Sequence, residues 1–246
     1  MTDFTQGLEA LLLDASKHHR EGNPDESRQT LMRALDLIDA TVGRSSPLAV
    51  SGILRVAAGL YTLAPLERNQ LSFELEQQAH ELAKRLPESD PCVRRALSQF
   101  GGTLSVWGRH EEAAAMLEHC IRLSDTHGSN PKALALHLND LALILMQLDR
   151  HDEALPLLQR ARTVISDPEA TLHRASTTLL GGIFVKLSRF PEALELLEPI
   201  QRRRIARFGQ APKDEMTEWF NEAQRAVHRP PRKKPTSRTK QPKKRR

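Results

Sequence analysis

Aromatic residues make up only 4% of this 246-residue chain: seven Phe, two Trp and one Tyr. β-Branched runs are equally scarce, and the apolar content is mostly Leu and Ala, both good helix formers. That balance argues against a sandwich or barrel and favours helices throughout. No stretch approaches the roughly 20 apolar residues that span a bilayer. Met1 to Leu13 carries Asp3 and Glu9 and has no basic segment ahead of its apolar residues, which argues against a secretory signal. The two cysteines, Cys92 and Cys120, have no metal-ligand or redox spacing and fit a reducing compartment such as the cytoplasm. Signatures of catalysis are also missing. No GxGxxG, P-loop, HExxH, GxSxG or paired-cysteine motif occurs, so no enzyme, cofactor or metal is expected.

Charge is present but unevenly placed. The net charge of +5 conceals ten Lys or Arg and no acid within Arg229–Arg246. The remaining 228 residues hold 26 basic and 31 acidic side chains, a net of about −5. An acidic body therefore carries a basic tail, and each part needs its own explanation.

Self-comparison finds a repeat in the body. Leu97–Leu123, Leu138–Val164 and Thr177–Ile200 align. Each has an apolar helix containing a small residue (Gly101, Ala142, Gly181), a polar turn (GRHEEA, DRHDEA, SRFPEA) and a second apolar helix. Small residues recur as Ala113, Ala154 and Ala193, about 40 residues apart, followed by Leu117, Leu158 and Leu197. Helices whose axes lie 8–10 Å apart accept only small side chains where their backbones come closest. Two weaker copies precede these. Leu11–Leu37 has Ala34 in the place of Cys120 and Ala161, and Leu54–Leu82 has a longer turn whose register stays open. Capped Pro starts keep similar time. They fall at Ser46-Pro47, Asp90-Pro91, Asn130-Pro131 and Asp167-Pro168, with Ala211-Pro212 a poorer example.

This pattern resembles the tetratricopeptide repeat, specifically the longer kinesin-light-chain-like variety. The resemblance implies an all-α, right-handed α-solenoid of about five helix pairs over residues 1–212. Residues 213–228 place Met216, Trp219, Phe220, Ala223 and Val227 on one helical face, suited to capping the last apolar surface. Residues 229–246 hold four prolines and no other apolar residue and are expected to be disordered.

In this architecture the first helix of each pair lines a concave groove that binds a peptide or partner protein. The carried-over groove positions are Arg55, Ser98, Asn139 and Thr178, then Gly59, Gly102, Leu143 and Gly182. Arg95, Gln99, Met146, Val185 and Lys186 complete the wall. Asn139 suits a partner's backbone amide. Asp140 stands where a carboxylate clamp of the family would want Asn, so that mode is disfavoured. Gly101-Gly102 and Gly181-Gly182 lie inside helices and read as packing glycines.

The histidines offer candidate ligands or catalysts. His110 and His151 share one repeat position on successive turns without Cys or acid ligands nearby, and His119 precedes a Cys120 expected to be buried. Turn packing suits them better. In the tail, Arg232, Lys233, Lys234, Arg238, Lys240, Lys243, Lys244, Arg245 and Arg246 are the candidate polyanion contacts, non-specific for want of a stacking aromatic. A knot of Arg202, Arg203, Arg204 and Arg207 extends their reach. Two functions follow. The first is an adaptor that binds a protein segment in the groove while its tail contacts a polyanion. The second is a nucleic-acid-associated protein whose tail is the main binder and whose repeats mediate assembly.

Overall fold

A computed structural model of the chain describes residues 2–43, 45–63, 70–167 and 170–228. Eleven α-helices account for most of them, and no strand occurs among the described residues. In order they are α1 (Thr2–Arg20), α2 (Pro24–Thr41), α3 (Val50–Leu63), α4 (Gln70–Ala83), α5 (Pro91–Val106), α6 (His110–His127), α7 (Pro131–Gln147), α8 (His151–Val164), α9 (Thr171–Lys186), α10 (Phe190–Phe208) and α11 (Glu215–Val227). Helices α1 to α10 pack as five antiparallel pairs, with α11 added after the last. No helix is long and apolar enough to cross a membrane among the described residues.

Side-chain caps fix several starts. Asp90 Oδ1 accepts from the Cys92 amide at 2.8 Å, and Asn130 Oδ1 from the Lys132 amide at 2.8 Å. Ser46 caps a short 3-10 turn, Pro47–Ala49, that runs into α3. Two starts differ from the Pro-based expectation. Helix α9 begins at Thr171 with Ala170 as its extended cap, and Pro168 lies outside the described residues. Helix α11 begins three residues beyond Pro212, because Asp214 offers a carboxylate to the Thr217 amide at 3.1 Å while Ala211 has no side-chain acceptor.

The three aligned turns share one geometry. Gly108, Asp149 and Ser188 open them with φ of 77°, 57° and 58°, all left-handed. An arginine follows, and Arg109, Arg150 and Arg189 each fold onto the glutamate three residues later in the next helix. Glycine adopts a left-handed backbone without steric cost, whereas an L side chain loses roughly 1 kcal/mol there. Ser188→Gly is therefore expected to stabilise the protein by about 0.5–1 kcal/mol, read as a higher denaturation midpoint. A lower midpoint would mean that the serine side chain contributes more than its strain costs.

The spacing residues close the pairs. Ala113, Ala154, Ala193, Leu117, Leu158 and Leu197 are all fully buried, as are Ala34, Cys120 and Ala161. A Cβ added at Gly101 would meet Met116 Cβ at 3.2 Å, and one at Gly181 would meet Leu197 Cδ2 at 2.5 Å. The apolar interior falls into two clusters, one mainly from α1 to α5 and one mainly from α5 to α11, with α4, α5 and α6 contributing to both.

Layering gives the array its shape. Successive first helices touch one another: α1 with α3, α3 with α5, α5 with α7, α7 with α9, and α9 with α11. Among the described residues, no two of the second helices α2, α4, α6, α8 and α10 make comparable contact. The first helices therefore form the tighter, inner layer, and the curved surface they present is the concave one.

Candidate functional site

Three of the expected wall residues are spent inside the fold. Asn139 is 5% exposed, and its Oδ1 accepts from Ser176 Oγ at 2.7 Å, which ties α7 to α9. The amide expected to serve a partner instead joins neighbouring first helices. Val185 is 2% exposed and belongs to the second apolar cluster. Gln99 is half-buried and donates to Leu54 O at 2.8 Å and to Glu76 Oε1 at 3.2 Å.

The other wall residues are more accessible. Arg95 and Lys186 are exposed, and Arg95 Nη1 lies 3.5 Å from Ser51 Oγ. Ser98 donates to Arg95 O at 3.2 Å, and Thr178 to Arg174 O at 2.9 Å, so both hydroxyls serve their own helices. Met146 is half-buried against the core, while Leu143 is 40% exposed. Arg55 forms a bidentate ion pair with Glu9 across α1 and α3. That pairing draws the Glu9 carboxyl below its ordinary range.

The four glycines divide by environment. Gly101 and Gly181 face their partner helices, and a Cβ on Gly182 would meet the Trp219 ring at 2.6–2.7 Å. Among the described residues, a Cβ on Gly102 would meet nothing within 4 Å. The inner face is thus open beside Gly102 and Leu143 and is closed at Gly182 by α11, where Met216, Trp219 and Ala223 are buried. Asp140, one residue from Asn139, is half-buried on the same helix, and burial alone pushes its carboxyl up to about 6.

Two recesses adjoin this face. One, of about 520 Å³, lies between α1, α2 and α3 and is lined by Leu12, Leu13, Leu31, Arg55 and Gly59 among others. The second, of about 670 Å³, lies between the ends of α8, α9 and α10 and includes Thr178 with several arginines. Arg202–Arg207 signals it in the sequence, but Arg162 and Arg174 are too far away along the chain to be read with that knot.

The titratable groups singled out in the sequence are dispersed. Cys120 Sγ lies 3.4 Å from His137 Nδ1, not beside the adjacent His119, whose Nε2 sits 3.9 Å from Glu88. Burial pushes the Cys120 thiol up to about 11, and burial together with Arg94 lowers His137, so both stay neutral near pH 7. Among the described residues, the buried Nδ1 atoms of His110 and His151 have no hydrogen-bond partner. Among the described residues, no group of three or more His, Cys, Asp or Glu side chains is placed to hold a metal. Sequence reading missed Glu76, 1% exposed on α4, whose carboxyl burial raises against hydrogen bonds from Thr103, Gln99 and Ser72. Two of these partners lie on the next helix, α5, so no local pattern announces it. The proposed tail contacts, Arg232 to Arg246, lie outside the described residues.

Comparison with known proteins agrees with this geometry. Residues 133–199 match the tetratricopeptide repeat family model. The chain is 20% identical over 202 residues to kinesin light chain-related protein 2 of Arabidopsis thaliana; the match covers 80% of this chain but only 30% of that protein's length. Among solved structures, a crystal structure of the kinesin-light-chain TPR-like repeats of Podospora anserina superposes with a TM-score of 0.69 at 19% identity, covering 81% of this chain and 95% of that one. PilF of Pseudomonas aeruginosa superposes with a TM-score of 0.60 at 15% identity, covering 92% and 89%. Residues 133–199 thus match the tetratricopeptide repeat model, and the whole array of helix pairs has the fold that kinesin-light-chain-like repeat structures share.

Proposed function

We propose that the chain is a protein-interaction adaptor that receives a partner's peptide segment on the inner face of its first helices, while its basic tail contacts a polyanion. The observation that carries this reading is the open stretch of α5 and α7. Gly102 leaves room for a ligand backbone, Leu143 is 40% exposed among the described residues and offers apolar area, and Met146 extends it. Arg95 and Lys186 flank that stretch with exposed cations. Asn139, Gln99 and Val185 are better read as the frame that holds this surface in place than as contacts with the partner. The tail adds a second, sequence-tolerant attachment, because counterion release rewards dense positive charge on any polyanion.

Tagged full-length protein tests the reading by capture of partners from nuclease-treated native lysate. Replacing Leu143 and Arg95 together by Glu reverses charge and apolarity at exposed positions, so the fold is expected to persist. Recovery of the captured protein is expected to fall by about tenfold or more, the effect of losing a central contact of an interface. Undiminished recovery of the same partner would place its binding elsewhere.

A further inference from the structure

We propose that the cleft between α9 and α10 is a docking site for single-stranded nucleic acid on the folded body of the protein. Its walls carry Arg162, Arg174, Arg203, Arg204 and Arg207, against one carboxylate among the described residues, Glu195. Arg204 is committed to Asp214, the cap of α11, and so helps hold the wall in place. Half-buried Arg162 has an Nε with no hydrogen-bond partner among the described residues. Phe208 at the rim is 58% exposed, and the Arg207 guanidinium lies 5.2 Å from its ring centroid. Guanidiniums matched to phosphate oxygens, beside an exposed ring on which a base can stack, are the two elements of sequence-tolerant single-strand binding. This charge sits on a body that is otherwise net negative, so it is a local concentration and not a general surface property.

What favours a phosphate polymer over a short acidic peptide is the chain that follows. Helix α11 packs on α9 and α10, the helices that wall the cleft, and the next 18 residues carry ten Lys or Arg without an acid. A short peptide's few carboxylates would be matched by the cleft alone, whereas an extended polyanion engages cleft and tail together. The choice of ligand therefore rests on the tail half of the proposed function; the cleft itself does not depend on the groove.

The test is fluorescence anisotropy with a labelled oligothymidylate of about 20 nucleotides and full-length protein across a KCl series. Arg203→Glu with Arg207→Glu is expected to weaken binding at least tenfold and to flatten the salt slope by about one to two units. It should do so both in the natural chain and in a full-length variant whose tail Lys and Arg are replaced by Gln. Phe208→Ala should weaken binding about fivefold through lost stacking. Where circular dichroism shows the double variant to be misfolded, Arg162→Gln with Arg207→Gln takes its place, with a smaller loss in the same direction. Unchanged affinity and slope in the folded cleft variant would assign all binding to the tail and overturn the proposal. So would the absence of oligonucleotide binding by the natural protein, or displacement of the oligonucleotide by a polyglutamate peptide at equal charge concentration. The Leu143→Glu, Arg95→Glu variant should bind the oligonucleotide normally, which separates failure of the cleft from failure of the groove.

Discussion

Alanine at position 182 is expected to undock α11, whereas alanine at position 102 is expected to stabilise the protein. Both glycines are the second of a Gly-Gly pair, at equivalent places in α5 and α9. In each case alanine gains helix propensity of roughly 1 kcal/mol. At Gly102 nothing lies within 4 Å of the added methyl, so the gain is kept, at about 0.5–1 kcal/mol. At Gly182 the methyl would sit 2.6–2.7 Å from three atoms of the Trp219 ring. A rigid indole cannot fold aside as the end of a leucine can, so helix and ring must separate. The cost is about 2–3 kcal/mol net, in the range of overpacked interiors. Tryptophan fluorescence during chemical denaturation reads both effects. Gly182→Ala should lower the midpoint and shift the native emission towards exposed Trp219, while Gly102→Ala should raise the midpoint with the emission unchanged. Equal shifts for the two variants would mean that the ring does not rest on this glycine.

Asp140→Asn should stabilise the protein in a pH-dependent manner. Burial raises the folded-state carboxyl to about 6, above the roughly 3.9 of an unfolded chain. A raised acid favours the folded state while protonated, and that contribution is lost as pH rises from about 4 through 6. Below pH 4 both states are protonated and the substitution should matter little. By pH 8 the native protein carries a partly desolvated charge, which a neutral side-chain amide at this position removes. Allowing for Asp140's partial exposure, the difference there is about 2 kcal/mol. Denaturant melts at pH 4 and pH 8 decide it. A gain of equal size at both would assign the effect to packing or hydrogen bonding instead of ionisation. By resemblance, position 140 is one where repeats that grip a carboxylate would want Asn, so capture of C-terminal peptides by the variant is worth following.

The sequence made legible whatever the repeat reuses. Ala113, Ala154 and Ala193, the leucines four residues on, and the polar turns all recur because every pair must solve the same packing problem. What does not recur was harder to read. Ser98, Asn139 and Thr178 occupy one repeat position, yet Asn139 is buried against Ser176 while the other two hydroxyls bond backwards within their own helices. Their fates depend on the neighbouring first helix, whose side chains differ at each step. Gly102 and Gly182 diverge for the same reason, since only the second meets α11. Thus the layer that forms the candidate site was implied by the resemblance to tetratricopeptide repeats, whereas the individual residues left free on it were not. The arginine cleft illustrates the limit more strongly, because Arg162, Arg174 and Arg207 converge from three helices.

The unequal contacts of the two layers give the molecule a soft rim and a firm hub. Flexing that narrows or widens the inner surface must shear the first helices along one another and each second helix against the first helix of the next pair, while the second helices barely meet each other. Resistance therefore comes from the contacts each first helix makes with both of its neighbours, and each pair adds only a small rotation to the total. Such an array behaves as a shallow leaf spring. It can adjust its curvature to segments of different bulk without breaking a pair, and a change imposed at one end is felt at the other as an accumulated angle.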